Sequence, residues 1–77
     1  MSIEARKMSK RDVSAYRQVM LSLIKFYGSI VGACRAIDMS DCVYYQLMQD
    51  NEITVRTARK IMAGWSEMSK MKRELAA

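Results

Sequence analysis

An all-α fold is what these 77 residues predict. The chain has no proline and only three glycines, and it nowhere alternates apolar and polar residues over a useful length. Apolar residues recur instead at helical spacing. This length makes a single domain, residues 1–77, read as a compact bundle of about four helices, with 1–8 and 73–77 expected to fray.

The first helix is predicted to begin at Ser9. Met8 and Val13 stand where a hydrophobic staple places its pair, and Asp12 where a capping box places its acid. Val13, Tyr16, Met20, Leu23, Ile24 and Tyr27 then mark one face of a long amphipathic helix that Gly28 can close. Ser29 caps a short second helix whose apolar positions are Ile30, Ala33, Cys34 and Ile37. Asp38-Met39 breaks the pattern, and Ser40 caps a third helix carrying Tyr44, Leu47 and Met48 inward. Tyr44 and Tyr45 are adjacent, so only one can face the core, and the spacing to Leu47 and Met48 selects Tyr44. Asp50-Asn51-Glu52 reads as a polar loop. Thr54 caps a fourth helix, with Ile53 placed to staple onto Ala58. Its inner face is predicted to be Val55, Ala58, Ile61, Met62 and Trp65, running to about Lys72.

Composition excludes several classes of function. The apolar share of 51% suits a folded globule, yet no apolar run approaches the ~20 residues of a membrane span. The N-terminal Met1-Ser-Ile-Glu-Ala-Arg-Lys7 carries no apolar signal segment. A cytoplasmic, reducing environment is therefore expected, with Cys34 and Cys42 as free thiols. There is no histidine, and two cysteines eight residues apart make neither a zinc site nor a catalytic dyad. No glycine-rich phosphate cradle and no carboxylate pair in apolar surroundings is present. The expectation is a non-enzyme with no catalytic residue, metal, cofactor or small-molecule substrate.

The net charge of +5 is unevenly spread. Residues 1–17 hold five basic side chains against two acidic, residues 18–53 two against four, and residues 54–77 six against two. Positive charge thus flanks the third helix. Flanking Arg and Lys that neutralise phosphates around a central base-reading helix would produce this distribution, and so would ordinary solvated helix faces.

Two short helices joined by a tight turn, with a small residue at their crossing and apolar residues on both sides, are what a helix-turn-helix requires. Cys34, Ile37, Met39, Tyr44 and Leu47 fill those roles, and Asp38 is a residue type that visits positive φ at modest cost. From Tyr27 to about Met68 the chain resembles the phage Cro and repressor type of helix-turn-helix domain. Residues 29–37 match the positioning helix, Asp38-Met39 the turn and residues 40–49 the recognition helix. The run Ile53-Thr-Val-Arg-Thr-Ala-Arg-Lys-Ile-Met62 matches the helix that follows. The chain departs from the family in having Asp38 for the usual turn glycine, Cys34 for the usual alanine, and Gly32 within a helix.

The resemblance implies a sequence-specific transcriptional regulator, a Cro-like phage or mobile-element repressor that occupies an operator on double-stranded DNA. It places Ser40, Asp41, Cys42, Tyr45, Gln46 and Gln49 on the exposed, base-reading side. Gln46 suits a bidentate pair with adenine, Ser40 a phosphate or base edge, Tyr45 a phosphate or thymine methyl, and Asp41 a cytosine amino group. Ser29, Thr54, Arg56, Arg59 and Lys60 are the expected phosphate-binding residues, the last four in the first turns of a helix whose amides and dipole favour an anion. An antitoxin, a recombination accessory protein and a helical inhibitor module that docks an acidic protein surface remain open. A small core and apolar residues near the C-terminus further predict a homodimer, with Trp65, Met68 and Met71 as its seam.

Overall fold

The computed structural model describes residues 3–76. Residues 1, 2 and 77, assigned above to fraying ends, lie outside the described residues. A 3-10 turn at Ile3–Ala5 precedes α1 (Lys10–Tyr27), α2 (Ile30–Ala36), α3 (Asp41–Tyr45) and α4 (Val55–Ala76), and a π turn at Gln46–Asp50 continues α3. Among the described residues there is no strand, only an isolated antiparallel bridge between Lys7 and Thr54.

Short-range chemistry sets the helix ends. Ser9 Oγ accepts from the Asp12 amide and donates to the Asp12 carboxylate at 2.9 Å. Ser29 Oγ accepts from the Gly32 amide, Ser40 Oγ from Val43 and Thr54 Oγ1 from Thr57. Each satisfies a first-turn amide that has no partner inside its own helix. Gly28, at φ 85°, closes α1 by donating its amide to the Ile24 carbonyl. Asp38, at φ 56°, closes α2 in the same left-handed conformation. Its amide donates to Arg35 O at 3.3 Å and the Met39 amide to Cys34 O at 2.8 Å, the paired bonds of a Schellman motif.

The core lies where α1 and α4 meet the two short helices. Val13, Met20 and Leu23 come from α1, Ala33, Cys34 and Ile37 from α2 and its end, and Met39, Tyr44 and Leu47 from the turn and α3. Ile53, Ala58, Ile61 and Met68 complete it. Contacts advance in the same order along α1 and α4: Lys7 bridges Thr54, Tyr16 and Val19 share a groove with Met62, and the Lys72 ammonium lies 5.9 Å from the centre of the Phe26 ring. The two long helices therefore run side by side in one direction. α2 leaves α1 at 107°, and with α3 it fills one flank of that pair. Among the described residues, no single helix is long and apolar enough to cross a membrane.

Several expectations need correction. The inward stripe of α4 is Ala58, Ile61, Gly64 and Met68, while Met62 and Trp65 are 45% and 36% exposed. Gly64 turns the stripe, because a side chain there would overlap the Cγ2 methyl of Ile37; its absence lets α4 seat against the end of α2. The Trp65, Met68 and Met71 seam fails for a related reason: Met68 has no exposed surface and lies in the core between the other two. Ile30, assigned to the buried face of α2, is 40% exposed because the helix begins at the corner where α1 has just ended. Residues 3–8, expected to fray, make backbone hydrogen bonds to the rest of the fold. The Met8 amide donates to Ile53 O at 2.9 Å and the Val55 amide to Arg6 O at 2.8 Å, tying the N-terminal segment to the start of α4. α4 itself continues through Ala76, past the expected end near Lys72.

Candidate nucleic-acid interface

Burying Tyr44 and Leu47 beneath α3 turns Cys42, Tyr45, Gln46 and Gln49 outward, with Val43 and Met48 half-buried at the edges. Ser40, Asp41, Cys42, Tyr45, Gln46 and Gln49 are all exposed. Cys42, Tyr45, Gln46 and Gln49 follow one another at spacings of three, one and three, which is a single helical face. Tyr45, 53% exposed, rests its ring edge-on against Tyr44, with centroids 5.3 Å apart. The buried Tyr thus stiffens the outer one. Four of the six expected base readers, Cys42, Tyr45, Gln46 and Gln49, share a face; Ser40 caps the helix and Asp41 opens its first turn.

The expected phosphate binders divide. One residue of α-helix turns about 100°, so on α4 the side chains step away from the core in the order Thr57, Lys60, Arg56, Arg59. Thr57 and Lys60 border α3 directly, lining a cleft with Asp38, Met39, Ser40 and Val43. Lys60 Nζ donates to the Asp38 carbonyl at 2.9 Å and stands 3.7 Å from its carboxylate. It therefore holds the α2–α3 turn in the free protein and offsets an acid beside α3. Arg56 and Arg59 are exposed on the outer side of α4.

Thr54 caps α4 as expected, and three amides at the start of the helix already have partners. The Val55 amide is bonded to Arg6 O, the Thr57 amide to Thr54 Oγ1 and the Ala58 amide to Thr54 O. Those three amides are satisfied within the protein, and Arg56, Arg59 and Lys60 supply positive side chains at this end. Ser29 is exposed, and its hydroxyl, which accepts from Gly32, retains a proton to donate.

Lys7 is a further cation beside this surface that the sequence did not single out. The bridge to Thr54 brings Lys7 to a second cleft, lined also by Val43, Gln46, Glu52, Ile53, Thr54 and Thr57. Lys7 Nζ sits 3.3 Å from the Glu52 carboxylate in an exposed pair of little energetic weight. The basic excess of residues 1–17 was the available signal; it did not say which end of the bundle that charge would reach.

The cysteines differ as expected: Cys34 is buried where α2 packs and Cys42 is exposed on α3. Burial, and then the Asp41 carboxylate, push the Cys34 thiol above its ordinary value. Because the folded-state value is raised, the stability linked to this thiol is complete below the ordinary thiol range and is lost as pH rises through the folded value. A bulky thiol reagent at neutral pH should therefore modify Cys42 rapidly and Cys34 only at the rate of unfolding, as followed by mass spectrometry. Equal rates would show that Cys34 is not enclosed.

No family model, characterised protein or solved structure matches the chain.

Proposed function

We propose that the chain is a sequence-specific DNA-binding regulator of the Cro and repressor kind, in which α2, the Asp38 turn and α3 form a helix-turn-helix and α3 reads an operator. The observation that carries this reading is the outer face of α3. Its exposed side chains bear hydrogen-bonding and thymine-contacting chemistry, Tyr44 and Leu47 are buried beneath it, and Lys60 and Lys7 stand along its α4-facing border. Gln46 is the principal base reader, pairing with adenine; Asp41 accepts from a cytosine amino group, and Tyr45 packs on a thymine methyl. Phosphates are met by Arg56, Arg59, Ser29, Arg6 and Lys7. Occupying the operator excludes polymerase. Dimerisation on a palindromic site belongs to this reading, with half-sites roughly 34 Å apart and the exposed Met62 and Trp65, rather than Met68, available as apolar contacts.

Enrichment from a randomised duplex pool, followed by anisotropy across a salt series, tests the proposal. Wild type should enrich one consensus, with affinity falling steeply as salt rises. Gln46→Ala should cost roughly 1–3 kcal/mol on that duplex and relax preference at one base position, leaving affinity for scrambled DNA almost unchanged. Equal losses on both duplexes would remove Gln46 from base reading. A pool without a consensus would reject the function and favour a protein-binding module.

A further inference from the structure

We propose that Arg17 of α1 is a positioning residue for base reading, clamping the far end of α3 through Asn51 and so fixing the pose of Gln46 and Gln49. This rests on the DNA-reading function above. The near end of α3 is held several ways over, by the Ser40 cap, by buried Met39 and Tyr44, and by Lys60 across the turn. The far end is built differently. Past Tyr45 the backbone widens into the π turn, which gives up regular α-helical bonding over the residues that carry Gln46 and Gln49. The amides of Asn51 and Glu52 both converge on the Gln46 carbonyl, and Asn51 sits at φ 54°, ψ 41°. Asn takes that left-handed conformation at a helix end at modest cost, so the turn needs no strain; what it needs is a tie that fixes its place against the bundle.

Arg17 supplies the hold. Its Nη1 donates to Asn51 Oδ1 at 2.9 Å in a part-buried bond spanning 34 residues of sequence. The Nε of the same guanidinium is buried without a hydrogen-bond partner. A methionine would fill this space without desolvating a charge, so stability alone is a poor account of an arginine here. Geometry is a better one. Gln46 is the pivot of the turn, and a bidentate amide pair fails if its base reader moves by about 1 Å.

Three variants separate the possibilities, measured on the duplex enriched by wild type and on its scrambled counterpart, with circular dichroism confirming the fold. Arg17→Met keeps the apolar stem and loses the donors. Asn51→Gly keeps the left-handed backbone and loses the acceptor, and should Arg17→Met fail to fold it reads the same quantity. Asn51→Asp restores an acceptor. Arg17→Met and Asn51→Gly should each lower the ratio of specific to scrambled affinity about tenfold, with the double variant no worse than either. Asn51→Asp should retain the ratio, and the salt slope should not change. A slope reduced by about one unit in Arg17→Met would make Arg17 a phosphate contact and overturn the proposal. So would an unchanged ratio in Arg17→Met and Asn51→Gly where wild type reads sequence. A wild type that enriches no sequence would fail at the earlier step, rejecting DNA reading and this inference together.

Discussion

Met68→Asp is expected to abolish the fold, not to dissociate a dimer. Met68 has no exposed surface and packs in the same cluster as Met20, Leu23 and Ile61. Truncating a buried methionine costs roughly 2–5 kcal/mol, and a domain of this size has only about 3–5 kcal/mol to lose. An ionised carboxylate in that position adds a desolvation penalty with no cation among the buried residues to answer it. Circular dichroism at 25 °C should show the helical signal gone, while Trp65→Ala, at a partly exposed position, should remain folded. A Met68→Asp chain that kept its helicity and changed only its sedimentation would mean that Met68 faces a partner and that the inner stripe of α4 is turned from the one described.

The same residue shows why part of the fold was hidden in the sequence. Trp65, Met68 and Met71 look like a stripe because they stand three apart, but three residues turn about 300°, so each step drifts about 60° around the helix. Only one of the three can point straight at a given surface, and apolar character alone does not say which. Gly64 decides it, through a close approach to Ile37 that lies 27 residues away in the chain. The caps were legible for the opposite reason. Ser9, Ser29, Ser40 and Thr54 each act on an amide three residues on, so their chemistry is complete within one turn.

The candidate interface divides along the same line. Its outer face was legible because Tyr44 and Leu47 fix the inner one, and helical geometry then assigns Cys42, Tyr45, Gln46 and Gln49. What holds and borders that face was not legible: the Lys7–Thr54 bridge, the Lys60–Asp38 bond and the Arg17–Asn51 clamp join segments distant in sequence. None leaves a periodic trace. The π turn at Gln46–Asp50 was missed as well, since the third helix reads as regular through Gln49.

Gly64→Ala should weaken the fold and the reading of DNA together. Alanine favours a helix interior over glycine by up to about 1 kcal/mol, and at an open position it would stabilise α4. Here the added Cβ overlaps the Cγ2 methyl of Ile37, with Leu23 Cδ1 at 3.7 Å leaving no slack on the α1 side. Ile37 is β-branched and stiff at χ1, so the methyl cannot swing aside cheaply, and overpacking of this kind costs about 1–3 kcal/mol. Packing therefore outweighs propensity. The strain falls next to the turn that aims α3, because Ile37 ends α2 and Asp38 follows it. If α4 retreats, the 2.9 Å bond from Lys60 to Asp38 lengthens as well. Urea unfolding should show a lower midpoint for Gly64→Ala, and its affinity for the enriched duplex should drop. Ile37→Ala, which removes the obstructing methyl, should be far less damaging in the Gly64→Ala background than in wild type, giving a favourable coupling in the double-mutant cycle. Strictly additive losses, or a Gly64→Ala chain at least as stable as wild type, would show that α4 does not bear on the turn.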